Sequence, residues 1–227
     1  MDLRHALRST SAVRDFLPLP VDESAVRRIL DTARFAPSGG NRQGWRVIDV
    51  RDPERRRAIR DAYLDAWVEY LAHLRAGVTP FSPLLTSEER AAVVAHHAEA
   101  RASIAPDDFA ARLDDAPALL VVCARLGSMA ATDQDLNRYH FIGGASIYPF
   151  IWSILLAAHD EGLGGVMTTV AVAREPALRT ILRIPDGFAI AAVVALGHPQ
   201  QELTQLRRRG VDDFATRDSF DGPPLGR

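Results

Sequence analysis

A chain of 227 residues, 47% apolar and 25% charged, is long enough for one large domain with its own core. Its formal net charge of -2, from 27 basic and 29 acidic residues, gives no overall reason to expect nucleic acid or a membrane surface as partner. All of the basic residues in that count are Arg, so Schiff-base and P-loop chemistry that needs a lysine is excluded, and an anion must be met by Arg or His.

The N-terminus has no apolar signal-type segment, which points to a cytoplasmic protein. Leu3, Ala6 and Leu7 begin a short helical pattern. Arg8-Ser9-Thr10-Ser11-Ala12-Val13-Arg14 follows, with hydroxyls held between two arginines. Free N–H groups, hydroxyls and guanidinium forks suit a phosphate or a pyrimidine-type carbonyl edge; a solvated turn is the alternative. Asp22 is placed to cap a helix whose apolar side is Val26, Ile29, Leu30 and Ala33.

Pro37 ends that helix. The loop reads Ala36-Pro37-Ser38-Gly39-Gly40-Asn41-Arg42-Gln43-Gly44-Trp45. It joins a helix stop, adjacent glycines and a cluster of amides and hydroxyls, as backbone passing close to a flat polar ligand requires. Residues 45–50 read as a strand. Asp52-Pro53 opens a helix with Ile59, Tyr63, Leu64, Trp67, Val68 and Leu71 on one face. Residues 77–83 break it, and the capping box of Thr86 and Glu89 starts another helix to about residue 102. Residues 54–115 are therefore mostly helical, an insertion or lid rather than core scaffold. His96 and His97 point about 100° apart on a helix and make no metal pair.

Residues 116–125 form a strand buried on both faces, with the only cysteine, Cys123, inside it. That single cysteine rules out a disulfide within the chain and a Cys-based zinc site. Residues 147–158 are apolar almost all round and so need cover on every side, as a central core helix and a subunit interface. Gly162 stops this helix. The glycines at 162, 164 and 165 fail as a dinucleotide fingerprint, because Met167 stands at the third glycine position and the segment follows a helix. Residues 175–183 form a short helix. Residues 188–196 form a second buried strand, too short for a membrane span of about 20 residues. Arg207-Arg208-Arg209 closes the ordered part, with an extended tail at 218–224 that reaches over another subunit.

No nucleophile elbow, Walker sequence or acid/base carboxylate pair is present. The polar clusters at 8–14, 37–43 and 207–209 suit an anionic, planar, hydrogen-bonding cofactor better than a catalytic triad; the alternative is unrelated surface segments.

The chain resembles the nitroreductase family of FMN-dependent oxidoreductases. Arg14-Asp15-Phe16 is similar to the end of the family's N-terminal motif. Residues 36–45 match Ala-Pro-Ser-x-x-Asn-x-Gln-x-Trp. Gly144-Ala145 with the apolar helix, then Gly162-Leu163-Gly164, resembles the central helix and the following strand. Residues 207–213 resemble the C-terminal basic motif. The resemblance implies one α+β domain over 1–227, with a three-layer fold: a central mixed or antiparallel sheet flanked by helices in an intertwined homodimer.

It also implies that Pro37, Ser38, Gly39, Asn41 and Gln43 lie along the flavin and its ribityl chain, partly across the dimer. Arg14 faces the N1/O2 edge. Arg8 or Ser9, beside Thr10 and with Arg207 or Arg208, holds the phosphate. Met167, Thr168 and Thr169 pass the N5 side. Thr10-Ser11-Ala12-Val13-Arg14 stands where the family has Arg-Arg-Ser-x-Arg. Threonines stand where some members place a glutamate near N5. The implied activity is transfer of two electrons from NADH or NADPH, through flavin N5, to an electron-poor small molecule such as a nitroaromatic or quinone. The alternatives are a same-fold enzyme with another task, such as a dimethylbenzimidazole synthase or a reductive dehalogenase, and a non-catalytic flavin-binding module. No metal is expected.

Overall fold

Four strands, β1 (Trp45–Asp49), β2 (Ala118–Arg125), β3 (Gly164–Thr168) and β4 (Phe188–Gly197), form an antiparallel sheet in the order β1-β2-β4-β3. The computed structural model describes residues 2–201 and 206–225; residues 1, 202–205 and 226–227 of the expected 1–227 domain lie outside the described residues. β2 and β4 are the central pair, and their unbroken runs of Ala, Val, Ile and Leu are what burial on both faces demands. Their register sets Ala118 opposite Leu196 and Arg125 opposite Phe188, with a bulge between Val122 and Cys123.

One face of the sheet, with Leu120, Val122, Val194 and Leu196, packs on α2 (Glu23–Ala33) and α6 (Tyr148–Asp160). The other face, with Leu119, Val121, Val193 and Ala195, packs on Ile59 and Tyr63 of α3 (Pro53–Arg75) and Leu178 of α7 (Glu175–Leu182). Helix, sheet and helix make three layers of an α+β domain. The first half of α3 is thus core scaffold. Its second half carries α4 (Ser87–Ala95) and α5 (His97–Ala102), which share a satellite cluster of Val68, Ala72, Val93 and Ala100.

The local signals act where they stand. Asp22 and Asp52 accept from the N–H groups of Ala25 (2.7 Å) and Arg55 (2.8 Å). Thr86 and Glu89 close both arms of the capping box. The helix expected to run to residue 102 is broken at His96, whose N–H closes a tight turn onto Val93 O. Val93 and Ala100, on either side of the break, both pack on α3. The tail expected to be extended instead doubles back: Thr216 bridges Pro224, and Arg217 N–H donates to Pro223 O at 2.9 Å.

α6 buries Phe150, Ile151, Ile154 and Leu155, while Tyr148 and Trp152 stay exposed. Residues 142–160 are long and apolar enough to cross a membrane by length and composition alone, and they include this core helix. Trp45 opens β1 and stacks on Phe150, with centroids 4.4 Å apart.

The chain before α2 closes the far edge of the sheet. Ala12 bridges Gly165 in parallel, Val13 N–H donates to Gly165 O at 2.9 Å, and Leu17 N–H donates to His198 O at 2.8 Å. The contact needs bare backbone. A Cβ on Gly164 would lie 2.6 Å from Val13, and one on Gly165 would lie 2.8 Å from Ala195 O as well as striking Leu196. Gly165→Ala is therefore expected to cost roughly 1–3 kcal/mol through overpacking. Urea unfolding checks this as a lower midpoint with an unchanged slope.

Candidate functional site

Residues 8–14 and 163–169 meet at the edge of β3. α1 (Leu3–Ser9) starts on an Asp2 cap and ends at Thr10. Leu206 N–H donates to Arg8 O at 3.0 Å, which brings the run from Arg207 to the end of α1. Among the described residues, Arg8, Arg14, Arg207 and Arg208 have no carboxylate partner, so their charge is available to an anion. Arg208 donates to Arg207 O.

Thr10 is buried, and its Oγ1 has no hydrogen-bond partner. Such a hydroxyl is costly to leave unpaired. It lines a pocket with Ser11, Gly164 and Gly165. Ser9 is buried too, but its hydroxyl is engaged: it donates to His5 O at 2.8 Å and lies 2.8 Å from His159 Nε2. His5 and His159 therefore belong to this pocket. No sequence pattern links them, because they sit on separate helices.

β3 splits the residues expected along the ring. Met167 packs toward the α2 and α6 side of the sheet, whereas Thr168 is buried on the α3 side. Thr169 is exposed just beyond the strand. Thr168 Oγ1 accepts from Val170 N–H at 3.3 Å. Burial pushes the Tyr63 hydroxyl above its ordinary value, while the Thr168 hydroxyl and the Arg14 guanidinium pull it down. Thr168 and Arg14 thus both act on Tyr63, a residue that read in sequence only as part of an apolar helix face.

The 37–43 loop stands elsewhere. Gly39 N–H donates to Ser146 Oγ, and Gln43 N–H to Ser38 Oγ, both at 3.0 Å. Gln43 Nε2 donates to Asn41 Oδ1, also at 3.0 Å. Gly40, Asn41 and Gln43 adopt φ of 60°, 51° and 48°. Left-handed backbone of this kind is readily adopted by Gly and tolerated by Asn, and the loop closes on itself through Asn41 N–H, which donates to Ser38 O at 2.9 Å. Arg42 folds back on Gly39 O at 3.0 Å, a structural role. Pro37 is exposed beside the loop.

Gly44 O accepts from Arg125 N–H, so the loop leaves the sheet at the end where Arg125 faces Phe188. β3 begins at the opposite end of β4, where Gly164 faces Gly197. The ten residues of β4 span roughly 30 Å. One chain therefore carries the two polar groups toward opposite ends of its sheet.

Cys123 is buried, and burial pushes its thiol up to about 11, so it is no nucleophile. Among the described residues no group of three His, Cys, Asp or Glu could hold a metal ion.

Beside the 37–43 loop, Asp133 holds the 133–142 turn. Its Oδ2 accepts from Phe141 N–H (2.9 Å), Arg138 (2.9 Å) and Ile142 N–H (3.3 Å). The Phe141 N–H first, then Arg138 and Ile142, hold its carboxyl down to about 2 against the effect of burial. A carboxylate lowered in the folded state stabilises fully above its unfolded value near 4, and loses that effect as pH falls through about 2. Asp133→Asn is expected to flatten the acid limb of thermal stability between about pH 4 and pH 2. Melting temperatures of the two proteins across that range check it.

A model of the nitroreductase family matches residues 7–198. A protein named NADH dehydrogenase from Thermus thermophilus is 29% identical over 211 residues, covering 89% of both chains. A 5,6-dimethylbenzimidazole synthase from Rhodospirillum rubrum is 31% identical over 200 residues, covering 87% of this chain and 83% of its own. The crystal structure of an iodotyrosine deiodinase bound to FMN and 3-iodo-L-tyrosine superposes with a TM-score of 0.66 at 18% identity, covering 96% of this chain and all of the other. That likeness shows the same fold. With a match that spans most of its length, and with the Ala-Pro-Ser-x-x-Asn-x-Gln-x-Trp loop in place, this chain is a flavin oxidoreductase of the nitroreductase family.

Proposed function

We propose that the enzyme holds FMN along the edge of β3 and passes two electrons from NADH or NADPH to an electron-poor small molecule of the nitroaromatic or quinone kind. One observation carries this reading: the buried Thr10 hydroxyl has no partner, and it lines a pocket with Gly164 and Gly165, two residues past Arg8, whose carbonyl holds Leu206. These residues fit a flavin nucleotide. Hydroxyls, N–H groups and guanidinium forks answer a phosphate, and Gly164 and Gly165 line the same pocket with backbone alone.

The bound cofactor supplies the hydride chemistry at N5. The chain supplies orientation and charge. Thr10 and Ser11, with Arg8 and Arg207 or Arg208, bind the phosphate end. Ser9 holds His159 and the end of α1 in place beneath it. Arg14 sets a fixed positive charge at the N1/O2 edge, where negative charge grows on reduction. Thr168 and Thr169 border the N5 side, and Tyr63 closes the site behind Thr168 against water. No side chain need act as acid or base, so the missing triad follows from the chemistry.

The second half-site is Pro37, Ser38, Gly39, Asn41 and Gln43. Its place at the other end of the sheet supports a homodimer in which each chain completes the other's site. The pocket of one chain is about 230 Å³. Pockets that enclose an organic ligand usually run from about 300 Å³ upward. Exposed Tyr148 and Trp152 on α6 offer apolar surface for the partner. The outer half of α3 with α4 and α5 forms the lid over the substrate side. We place the enzyme in the cytoplasm.

A second reading has support from the dimethylbenzimidazole synthase relative: the reduced flavin itself reacts with oxygen as substrate. Product analysis after mixing the protein with reduced FMN and oxygen separates the two, since only that reading yields a benzimidazole.

Purified protein is expected to be yellow, or to take up added FMN, and to oxidise NADH or NADPH when a quinone is supplied. A colourless protein that takes up no FMN overturns the reading. Arg14→Ala is expected to make the bound flavin harder to reduce. Losing a charged hydrogen bond of about 1.5–3 kcal/mol lowers a two-electron potential by roughly 30–60 mV. An unchanged midpoint in a spectroscopic redox titration removes Arg14 from this role.

A further inference from the structure

Between α1 and α6 lies a pair of histidines that electron transfer does not use. His5 and His159 stack with centroids 6.3 Å apart and planes 17° from parallel. Both line the cavity shared with Thr10, Ser11, Gly164 and Gln201. The Ser9 hydroxyl has one proton and gives it to His5 O at 2.8 Å. Its 2.8 Å contact with His159 Nε2 is therefore one it accepts. Neutral His159 carries its proton on Nε2 and leaves Nδ1 to take a second. Thr10 Oγ1, buried and unpartnered, lies in the same cavity.

Two imidazoles this close repel each other when both are charged, and an anion between them and Thr10 removes the repulsion. The other charges around them leave that part open to an anion. Arg4 and Arg8 lie on α1, with Asp2 at its start capping the helix through His5 N–H. Asp160 and Glu161 follow His159. Asp160 has a partner of its own and also feels the charge of His159, and Glu161 is held by Arg28 of α2 at 2.8 Å. The segment leaving β4 contributes His198, whose carbonyl is taken by Leu17 N–H. Leu206, bonded to Arg8 O, brings the arginines that follow it.

We propose that His5 and His159 form a proton-linked anion subsite for the phosphate monoester of the cofactor, which grips the phosphate more tightly as the pair gains charge. The inference rests on the flavin-nucleotide reading above. Linkage is reciprocal: protons tighten the phosphate, and the phosphate draws protons to the pair. Histidine changes charge between about pH 5 and pH 8, so affinity rises as pH falls through that range. The phosphate's own second ionisation, near pH 6, opposes this from the ligand side. The wild type must therefore be compared with a protein lacking both imidazoles.

The experiment titrates flavin-free protein with FMN, and separately with riboflavin, following flavin fluorescence from about pH 5.5 to pH 8. The double variant His5→Gln/His159→Gln keeps an amide N–H at residue 159 for Ser9, and His5→Gln alone serves if the double variant melts early. The gain in FMN affinity on going from about pH 8 to pH 6 is expected to be at least about fivefold larger in the wild type than in the variant. Riboflavin, without the phosphate, is expected to show no such difference. Equal pH dependence of FMN binding in wild type and variant overturns the inference and leaves the flavin reading standing. Riboflavin binding with the wild type's FMN profile overturns it too, because the phosphate is then not involved. If the wild type binds neither flavin at any pH, the flavin reading fails and this inference fails with it.

Discussion

The hydrogen bond from Val13 N–H to Gly165 O governs the rest of the molecule's chemistry. Gly164 leaves room for it, since a Cβ there would strike Val13, while Gly165 has no room for a Cβ against Leu196 and Ala195 O of the neighbouring strand. Through it the segment after α1 lies along the last strand. Arg14 then reaches the Thr168 and Tyr63 side, while Thr10 turns into the pocket. A sheet edge of unpaired N–H and C=O groups is normally a liability. Here the chain's own N-terminal segment covers part of it, and the cover carries the polar groups of the site.

The scaffold was readable where a local rule decides the outcome. Asp22, Asp52 and the Thr86/Glu89 pair are caps by residue type and spacing, and each makes its bond. The unbroken apolar runs gave β2, β4 and α6, since nothing else hides so much apolar surface. Other features depended on partners far away in sequence. The break at His96 has no signal in the sequence, since Val93 and Ala100, seven residues apart, would share one face of an unbroken helix as well. The tail at 218–224 reads as extended, yet it turns back through backbone bonds from Arg217 N–H to Pro223 O and from Leu225 N–H to Ala215 O, which no pattern announces. The first half of α3 belongs to a long helical stretch, and length alone does not say which helix face meets a sheet.

The site was legible as residue types and less so as an arrangement. The clusters at 8–14, 37–43 and 207–209 stood out for their hydroxyls, amides and arginines. Leu206 joins the first to the last by one backbone bond, while the middle one anchors on Ser146 at the other end of the sheet. Tyr63, His5 and His159 stayed hidden, since a tyrosine in an apolar stripe and two isolated histidines look like ordinary packing. Ser9 shows the converse. Its type suggested a ligand contact, but both of its hydroxyl contacts are made within the protein.

Ser9 and His159 lie 150 residues apart in sequence, and the segment after α1 docks on strands from the last third of the chain. Contacts this distant close slowly, because the entropy of a long loop is lost before they form. As the chain leaves the ribosome, the N-terminal polar cluster is made first and must wait, solvated, until β3 and β4 have been synthesised and paired. The sheet edge that this segment completes is therefore among the last features the protein acquires as it folds, and a chain cut short before β3 lacks the strand on which the first residues assemble.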